Sequence, residues 1–412
     1  MTRMGRKEKR ESFYRQIPNY WPDLYGNEYS LYDIREIAAE EVEEIREASR
    51  KIGRIFFKMG RLLRRVPDET LSGMGYPEML YPYLRENFFS VDSVIARLDL
   101  VKAGGDFKCL ELNADTPTFI KETHWINGLV CKEFGLQDPN REEEGRVRSA
   151  VTQAILEAMR SIKKPYIVFT AHEESIEDRE TTRYLQRLIP LPSRFIPLHR
   201  LEIIRGIGLF DPEGRKIDLL YRQTYPLEHL ISDQGENGEE IGRWMMDLVL
   251  ERKLVLINPP SAFLLQNKAV LAAIWGLHEE KNPFFTEEEH EWIKRHFLPT
   301  YLEPDHFLRE KKSYVKKPAF GREGDTVEIY NGEGALESED SHKSYREYLP
   351  VYQEYVSLPK VHFCTIEGEK EGHLLIGCFL IQGEPGAIGL RVGNRITDNL
   401  SYFLPIGLKT KR

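Results

Sequence analysis

The sequence predicts a mixed fold, α/β or α+β, arranged in two or three lobes. Segments with apolar residues at helical spacing alternate along the chain with short strand-like apolar runs. The 412 residues exceed the length of about 300 at which a single core tends to split into domains. Hydrophobic residues make up 41% of the chain, which is enough to pack such cores and excludes wholesale disorder.

The helices are predicted from amphipathic periodicity. In the longest one, apolar residues recur every three to five positions and form one stripe. The last one is marked by a capping-box pattern, Thr286 followed by Glu289. The predicted helices are Ile34–Leu63, Glu142–Ile162, Thr181–Leu188, Gly238–Glu251, Ala269–His278 and Thr286–Phe297.

The strands are predicted from short runs rich in β-branched, aromatic and other apolar residues between these helices. They are Val94–Val101, Phe107–Asn113, Tyr166–Thr170, Asp218–Tyr221, Leu254–Ile257, Tyr314–Lys317, Thr326–Tyr330, Val351–Val356 and Leu374–Gln382. Two polar segments, Ser232–Glu240 and Gly332–His342, are predicted to be surface loops.

Charge and cysteine content exclude several classes of protein. With 66 acidic and 58 basic residues the formal charge is −8, the wrong sign for a broad nucleic-acid-binding surface. The first ten residues are basic, but no apolar signal segment follows them, and no apolar run is long enough to span a membrane. None of the cysteines stands in a C-x-x-C pair, which argues against a disulfide framework or a zinc site and favours the cytoplasm: Cys109, Cys131, Cys364 and Cys378.

A first group of polar residues lies on a predicted hairpin. If Gly104, Gly105 and Asp106 form a three-residue loop, Asp99 pairs with Glu111 and Arg97 with Asn113 on one face. Leucines occupy the opposite face: Leu98, Leu100, Leu110 and Leu112. Two carboxylates and a carboxamide oxygen side by side suit Mg²⁺. The alternative is a plain hairpin with a solvated polar face and an Arg97–Asp99 contact.

A second group lies around a glycine-flanked turn. One strand ends at Lys317, and the turn that follows carries Gly321, Arg322 and Gly324. Glycines allow backbone N–H groups to approach phosphate oxygens, and the two cations supply charge. The segment is not a Walker A motif, because no helix-opening G-K-[ST] follows. A purely structural turn is the alternative.

A third group lies on the short apolar strand Val351–Val356. It carries Gln353 and Glu354, an amide and a carboxylate where a buried strand would favour neither. Backbone groups of such a strand could form hydrogen bonds with the edge of an adenine ring. One of the two side chains could then bind an amine or a ribose hydroxyl group. An ordinary edge strand is the alternative.

Together these groups resemble the synthetase domain of the glutathionylspermidine synthetase family, which includes trypanothione synthetases. The motifs that carry the resemblance are Arg97-x-Asp99, Glu111-x-Asn113-Ala-Asp115-Thr-x-Thr118, Asn258-Pro259, Asn267-Lys268-Ala269, Lys317-Pro-x-x-Gly321-Arg322, Gln353-Glu354 and Leu390-Arg391. The resemblance runs from about Tyr20 to the end of the chain. Glu111 and Asn113 precede Lys268 and Lys317, which matches the permuted order of this family.

The resemblance implies an α+β ATP-grasp fold, similar to glutathione synthetase in circularly permuted order, with an α/β pre-ATP-grasp lobe. Residues 1–155 would form a helical scaffold and the metal-binding hairpin, residues 156–260 the pre-ATP-grasp-like lobe, and residues 261–412 the nucleotide-binding lobes.

The resemblance also implies roles for individual residues. Mg²⁺, expected as two ions with ATP, would be held by Asp99, Glu111 and Asn113. ATP would be bound by Lys268, Lys317, Gly321, Arg322, Gln353, Glu354, the backbone near Val356, and Arg391. Arg322 and Arg97 are the expected catalytic residues. The substrates would be contacted by Arg97, Thr116, Thr118, Glu173, Gln223 and Asp398. At the positions of Thr116 and Thr118, the resemblance implies serines in the family. The methyl groups of the two threonines are therefore expected to make the site for the acid narrower.

The implied activity is that of an ADP-forming carboxylate–amine ligase working through an acyl phosphate. Peptide- or thiol-like acids and polyamine-like amines are the expected small-molecule partners, with no nucleic acid and no membrane. Because the chain begins in the synthetase region, no amidase activity is expected, which a hydrolysis assay on glutathionylspermidine tests. The alternatives are a peptide or amino-acid ligase with other substrates and a non-catalytic ATP-binding partner or sensor.

Overall fold

The computed structural model describes residues 3–409 except residues 88 and 323. Its α-helices are α1 Arg3–Arg15, α2 Ala39–Leu63, α3 Asp68–Gly73, α4 Tyr81–Leu84, α5 Asn127–Phe134, α6 Glu143–Ala158, α7 Ile176–Leu188, α8 Leu227–Leu230, α9 Ile241–Leu250, α10 Phe263–Gln266, α11 Ala269–Glu279, α12 Glu287–His296 and α13 Asp305–Glu310. Short 3₁₀ or π turns occupy Glu78–Leu80, Glu122–Ile126, Leu198–Arg200 and Pro260–Ala262.

The strands in the same part of the chain are mostly short. They are β1 Asp23–Leu24, β2 Asn27–Glu28, β3 Arg35–Ile37, β4 Ile95–Ala103, β5 Asp106–Asn113, β6 Ile167–Ala171, β7 Ser193–Phe195, β8 Glu202–Ile204, β9 Gly208–Phe210, β10 Lys216–Ile217, β11 Leu219–Gln223, β12 Val255–Ile257, β13 Thr300–Tyr301, β14 Tyr314–Pro318, β15 Glu328–Tyr330, β16 Leu336–Glu339, β17 Pro350–Glu354, β18 Lys360–Thr365, β19 Gly368–Ile381, β20 Glu384–Gly393, β21 Tyr402–Leu404 and β22 Ile406–Leu408.

Three larger sheets organise the chain. A six-stranded antiparallel sheet has the order β21-β20-β19-β4-β5, with β18 pairing with β19. A five-stranded antiparallel sheet has the order β13-β17-β14-β15-β16. A four-stranded parallel sheet has the order β12-β11-β6-β7. The α/β and α+β arrangements are therefore both present. The strands of the parallel sheet alternate with helices along the chain, whereas those of the antiparallel sheets do not.

Helix α2 is the long amphipathic helix that the apolar stripe predicts. It packs against β19 and β20 and buries the predicted stripe, with Ile45, Ile52 and Ile55 fully buried. The predicted start at Ile34 is wrong, because residues 35–37 form β3 and pair in parallel with β22. Helix α12 begins as predicted, since Thr286 and Glu289 form the capping box.

Helix α7 begins earlier than the predicted Thr181. Ser175 caps it, since its Oγ accepts a hydrogen bond from the backbone N–H of Asp178 at 3.3 Å. The first turn is polar, so apolar periodicity could not detect it. No helix within residues 3–87, 89–322 and 324–409 is both long and apolar enough to cross a membrane.

The predicted hairpin forms with the predicted pairing but by a different route. The turn has two residues, Gly104 and Gly105, both with positive φ, so the predicted three-residue loop is wrong. A β-bulge leaves Leu110 without a partner and restores the register. Asp99 therefore lies opposite Glu111, and Leu110 joins them on the cleft side instead of the leucine face.

Strand β20 was not predicted, because Pro385, Gly386 and Gly389 interrupt its apolar pattern. A Cβ at Gly389 would collide with the Phe119 ring, so close packing accounts for this glycine. The predicted loop Gly332–His342 is wrong in part, because its residues 336–339 form β16, a polar strand at the edge of the five-stranded sheet.

Candidate functional site

The two antiparallel sheets face each other across a cleft of about 830 Å³, the first cleft. The five-stranded sheet contributes Lys317 and Gln353, and the six-stranded sheet contributes Asp99 and Glu111. Away from these charged groups the walls are apolar, formed by Leu110, Val315, Val327, Ile329, Val356, Leu358, Leu375 and Ile396. The cleft thus combines an apolar region for a ring system with a charged region for phosphates or a metal.

Asp99 is held by Arg97 on the same strand. Arg97 Nε donates to Asp99 Oδ1 at 2.7 Å and Nη2 donates to Oδ2 at 3.0 Å, and both side chains are buried. Asn113 Nδ2 approaches Asp99 Oδ2 at 3.4 Å. Burial raises the pKa of Asp99, while the charge of Arg97 opposes that increase. The Arg97–Asp99 contact that the plain-hairpin alternative includes is therefore present, on a buried rather than a solvated face.

Glu111 is held by a lysine from a distant segment. Lys268 Nζ lies 3.1 Å from Glu111 Oε2 and donates to the carbonyl oxygen of Gly321 at 3.1 Å. Burial opposes ionisation of Glu111, but Lys268 and Lys317 outweigh it and lower its pKa to about 2. Glu111 is therefore ionised at neutral pH.

Lys317 is oriented by a buried amide. Its Nζ donates to Gln353 Oε1 at 2.7 Å, and Gln353 Nε2 in turn donates to Thr300 Oγ1 at 3.3 Å. Burial lowers the pKa of Lys317 to about 8, against the charge of Glu111, which raises it. Both polar groups of Gln353 are thus occupied within the protein, and Glu354 and Val356 line the cleft beside it.

A second cleft, of about 810 Å³, shares a wall with the first. It is lined by Arg97, Thr116, Thr118 and Arg391, and it shares Asp99, Glu111 and Arg322 with the first cleft. Arg97 Nη1 donates to the carbonyl oxygen of Thr118 at 3.0 Å. Arg322 Nη2 lies 3.5 Å from Thr116 Oγ1. A ligand in one cleft therefore meets a ligand in the other beside two carboxylates and a guanidinium group.

The loop that carries Thr116 and Thr118 is held in place by contacts with the parallel sheet. Gln223 Nε2 donates to the Thr116 carbonyl oxygen at 3.1 Å. Asp115 and Arg222 form a fully buried ion pair, and Asp115 Oδ2 accepts from the Leu227 N–H at 3.1 Å. These contacts tie the loop to the parallel sheet, in which Arg222 and Gln223 lie on β11.

A third cleft lies on another side of Arg322. It contains Tyr225, His229, Asp233 and Tyr345, together with Pro226, Asp325, His342, Asp398 and Asn399. Arg322 lines all three clefts, and its catalytic role stays a prediction. Neither His229 nor Asp233 was singled out by sequence, because each lies in a polar segment without a motif.

The other predicted substrate residues are dispersed. Glu173 is exposed and lies near His199, with 3.6 Å between the carboxylate and Nε2. Gln223 is buried behind the Thr116 loop. Arg391, which was predicted to bind ATP, lines the second cleft and donates to the Asp398 carbonyl oxygen at 2.6 Å. Their roles toward substrates and ATP remain predictions.

Two further residues shape the site without having been assigned a role from sequence. Asn258 accepts from the N–H groups of Val94 and Ile95 and donates to three carbonyl oxygens of the same region, so it anchors both hairpin strands. Its motif, Asn258-Pro259, was part of the family resemblance, but nothing in the sequence indicated the strands that it joins. Arg395 stacks on Tyr355 at 4.7 Å from the ring centre and lines the first cleft.

The donor set fits a magnesium ion that is also bound by phosphates. Asp99 and Glu111 are directly opposite each other, and Asn113 lies next to them, with its Nδ2 3.4 Å from Asp99 Oδ2. Mg²⁺ typically takes one or two carboxylates and completes its shell with water and phosphate. Within the described residues, no group of three or more His, Cys, Asp or Glu side chains is arranged to hold a metal ion.

Comparison with known proteins gives one family and several relatives. Residues 6–409 match the sequence profile of the family described as glutathionylspermidine synthase preATP-grasp. The chain is 24% identical over 349 residues to a putative acid–amine ligase of Haemophilus influenzae, covering 75% of this chain and 73% of that protein. It is 24% identical over 366 residues to the trypanothione synthetase of Crithidia fasciculata, covering 83% of this chain but only 51% of that protein.

The fold is similar to that of a solved protein. A glutathione synthetase-like effector from Globodera pallida, in its apo form, superposes with a TM-score of 0.57 at 14% identity, covering 92% of this chain and 90% of that one. This likeness concerns the fold alone. It agrees with the mixed architecture of one parallel and two antiparallel sheets described above.

Proposed function

Because the chain belongs to the glutathionylspermidine synthase preATP-grasp family, we propose that this carbon–nitrogen ligase joins a carboxylic acid to an amine at the expense of ATP, through an acyl phosphate. The observation that carries the proposal is the wall that the first and second clefts share. Asp99, Glu111 and Arg322 line both clefts, so a phosphate in one and a carboxylate in the other meet at the same charged groups.

We assign the first cleft to ATP. The apolar region accepts the base, and the triphosphate lies toward Lys268, Lys317 and Arg322. Both lysines are held in place before the nucleotide binds, one by Glu111 and one by Gln353. Such fixed cations need little reorganisation when phosphate oxygens arrive, which favours phosphoryl transfer. Asp99, Glu111 and Asn113 would hold Mg²⁺, which neutralises phosphate charge when bound.

We assign the second cleft to the acid, a peptide-like carboxylate. Arg97, Arg322 and Arg391 supply guanidinium groups that can bind a carboxylate, and Thr116 and Thr118 supply hydroxyl groups. The carboxylates of the same cleft are Asp99, Glu111 and Glu177. A carboxylate oxygen of the acid attacks the γ-phosphorus and ADP leaves, which produces the acyl phosphate. The nitrogen of the amine then attacks the carbonyl carbon. The bond between this carbon and the oxygen that bridges to phosphorus breaks, and inorganic phosphate leaves. Arg322, which lines both clefts, would stabilise the negative charge of the phosphoryl group during its transfer.

The permuted ATP-grasp order belongs to the same proposal. It is supported by the chain order, since the carboxylate strands β4 and β5 precede the lysine strand β14. The proposed lobe of residues 156–260 is supported by the parallel sheet, whose four strands all lie within residues 167–257.

The test is an acid panel with ATP, Mg²⁺ and hydroxylamine, which traps an acyl phosphate as a hydroxamate. The panel contains small peptides, amino acids and dicarboxylates. We expect at least one acid to give ADP and hydroxamate in equal amounts, and we expect Asp99→Ala, Glu111→Ala and Lys317→Ala to abolish both products while circular dichroism shows an intact fold. ATP binding without ADP for any acid, or normal turnover in these variants, would overturn the assignment.

A further inference from the structure

The third cleft is placed to deliver a reactant to the proposed acyl phosphate. It has about 1200 Å³ of empty volume and reaches Arg322, which also lines the clefts assigned to ATP and the acid. Asn399 is shared with the second cleft and Asp325 with the first. The third cleft therefore adjoins both of the other clefts at Arg322.

The chemistry of its lining suits a cation. Asp233, Asp325 and Asp398 contribute carboxyl groups, Tyr225 and Tyr345 contribute aromatic rings, and Arg322 at its inner end is the only lysine or arginine among the described lining residues. Aromatic faces and carboxylates are the groups that bind ammonium ions in proteins. The second cleft differs, because its three arginines, Arg97, Arg322 and Arg391, balance its three carboxylates, Asp99, Glu111 and Glu177.

Two of the three carboxyl groups already accept hydrogen bonds from hydroxyl or backbone N–H groups of the protein. Asp325 Oδ1 accepts from Thr326 Oγ1 at 2.7 Å and from the Ser344 N–H at 2.9 Å. Asp398 Oδ1 accepts from Ser401 Oγ at 3.1 Å. Asp233 differs, because its carboxyl group has no hydrogen-bond partner in residues 3–87, 89–322 and 324–409, although His172 and His229 are near enough to act on it electrostatically. It is the carboxyl group of this cleft that is open to a ligand.

His229 is the second unengaged group. It lies four residues before Asp233, at the end of α8, and its ring also has no hydrogen bond within the described chain. Facing it are Arg322 from the turn after β14, Asp233 from its own segment, and the Tyr345 ring at 6.2 Å between centres. Burial, and then Arg322, lower the pKa of His229. The ring is therefore neutral at pH 7 and has a nitrogen lone pair to accept a proton.

We propose that the amine substrate binds in the third cleft as an alkylammonium ion, with Asp233 as its counterion and His229 as the acceptor of the proton that it must lose. This inference rests on the proposed ligase function and specifies its second substrate. The ammonium ion transfers one proton to His229 and exposes its lone pair. That pair forms the C–N bond as the C–O bond of the acyl phosphate breaks, and the remaining excess proton on nitrogen leaves with the phosphate.

The test compares two nucleophiles on the same acyl phosphate at about pH 7.5. An alkylamine, with a pKa near that of lysine at about 10.4, is an ammonium ion at this pH and needs both groups. Hydroxylamine is uncharged and already has its lone pair, so it needs neither. The probes are 1,4-diaminobutane and hydroxylamine. The variants are His229→Gln and Asp233→Asn, and the control is Glu236→Gln, an exposed carboxylate in the same segment that does not line the cleft.

We expect His229→Gln to lower kcat with the diamine about 100-fold, the usual contribution of a proton acceptor, with the hydroxamate rate unchanged. We expect Asp233→Asn to raise KM for the diamine about tenfold and to leave the reaction with hydroxylamine unchanged. We expect Glu236→Gln to alter neither reaction. Equal losses with both nucleophiles, or no loss with the diamine, would overturn the inference. Absence of hydroxamate in the wild-type protein would instead contradict the ligase assignment itself.

Discussion

Replacing Lys317 by methionine is expected to make the protein more stable and inactive. Lys317 carries its charge in a buried position, and its pKa of about 8 lies below the ordinary value of 10.5. At about 1.36 kcal/mol for each pH unit, this difference corresponds to a cost of about 3 kcal/mol to the folded state. Losing the lysine leaves Gln353 Oε1 unpaired, which costs about 1 kcal/mol. The net expected gain is about 2 kcal/mol.

The sign of the pH dependence follows from the lowered pKa. Between about pH 8 and pH 10.5 the unfolded chain binds a proton at this lysine that the folded chain does not, so the cost is fully present below pH 8 and disappears above pH 10.5. The stability gain of Lys317→Met should therefore be full at pH 7 and smaller at pH 9.5.

Urea unfolding at these two pH values, with ADP formation measured in parallel, tests this reasoning. Lys312→Met is the matched control, because Lys312 precedes the same strand but is exposed and its pKa is raised by Glu310. We expect no gain in stability from the control. The reasoning would be refuted if Lys317→Met lowered the free energy of unfolding at pH 7, or changed it equally at both pH values. Either result would show that the buried charge of Lys317 does not destabilise the folded protein.

Three other substitutions test the architecture around the site. Arg222→Met leaves Asp115 buried without its partner and should lower the free energy of unfolding by about 3–5 kcal/mol in urea titrations, whereas a change below about 1 kcal/mol would show that the pair is not needed. Gly324→Ala places a Cβ against the Thr397 carbonyl oxygen at a positive φ and should lower kcat about 100-fold by displacing Arg322; wild-type kcat would contradict this. Thr118→Ser widens the second cleft and should lower KM for bulkier acids by up to about tenfold, and an unchanged acid preference would count against that assignment.

The carboxylate wall could be predicted from sequence because it depends on local rules. Strand alternation and hairpin pairing suffice to bring Asp99 opposite Glu111. Even so, the pairing arises from a two-residue turn and a bulge at Leu110, since a bulge has no distinct sequence signal here. The lysines could be named from motifs, but their partners could not. Lys268 meets Glu111 only because segments more than a hundred residues apart fold together.

What sequence reasoning missed depends on such distant contacts. Arg391 lines the second cleft, and this place could not be assigned from sequence, because β20 was not predicted and its register was unknown. Asn258 joins the end of β12 to both strands of the carboxylate hairpin. The third cleft combines α8, the turn after β14 and the segment after β20, so no single stretch of sequence contains it.

The acyl phosphate is the central claim, and oxygen transfer tests it most directly. An acid that supports turnover is labelled with ¹⁸O in its carboxylate and incubated with the protein, ATP, Mg²⁺ and an amine, and the phosphate released is analysed by mass spectrometry. If the carboxylate attacks the γ-phosphorus, each phosphate carries one ¹⁸O from the acid. Phosphate that contains no ¹⁸O from the acid would contradict the mechanism assigned to these clefts.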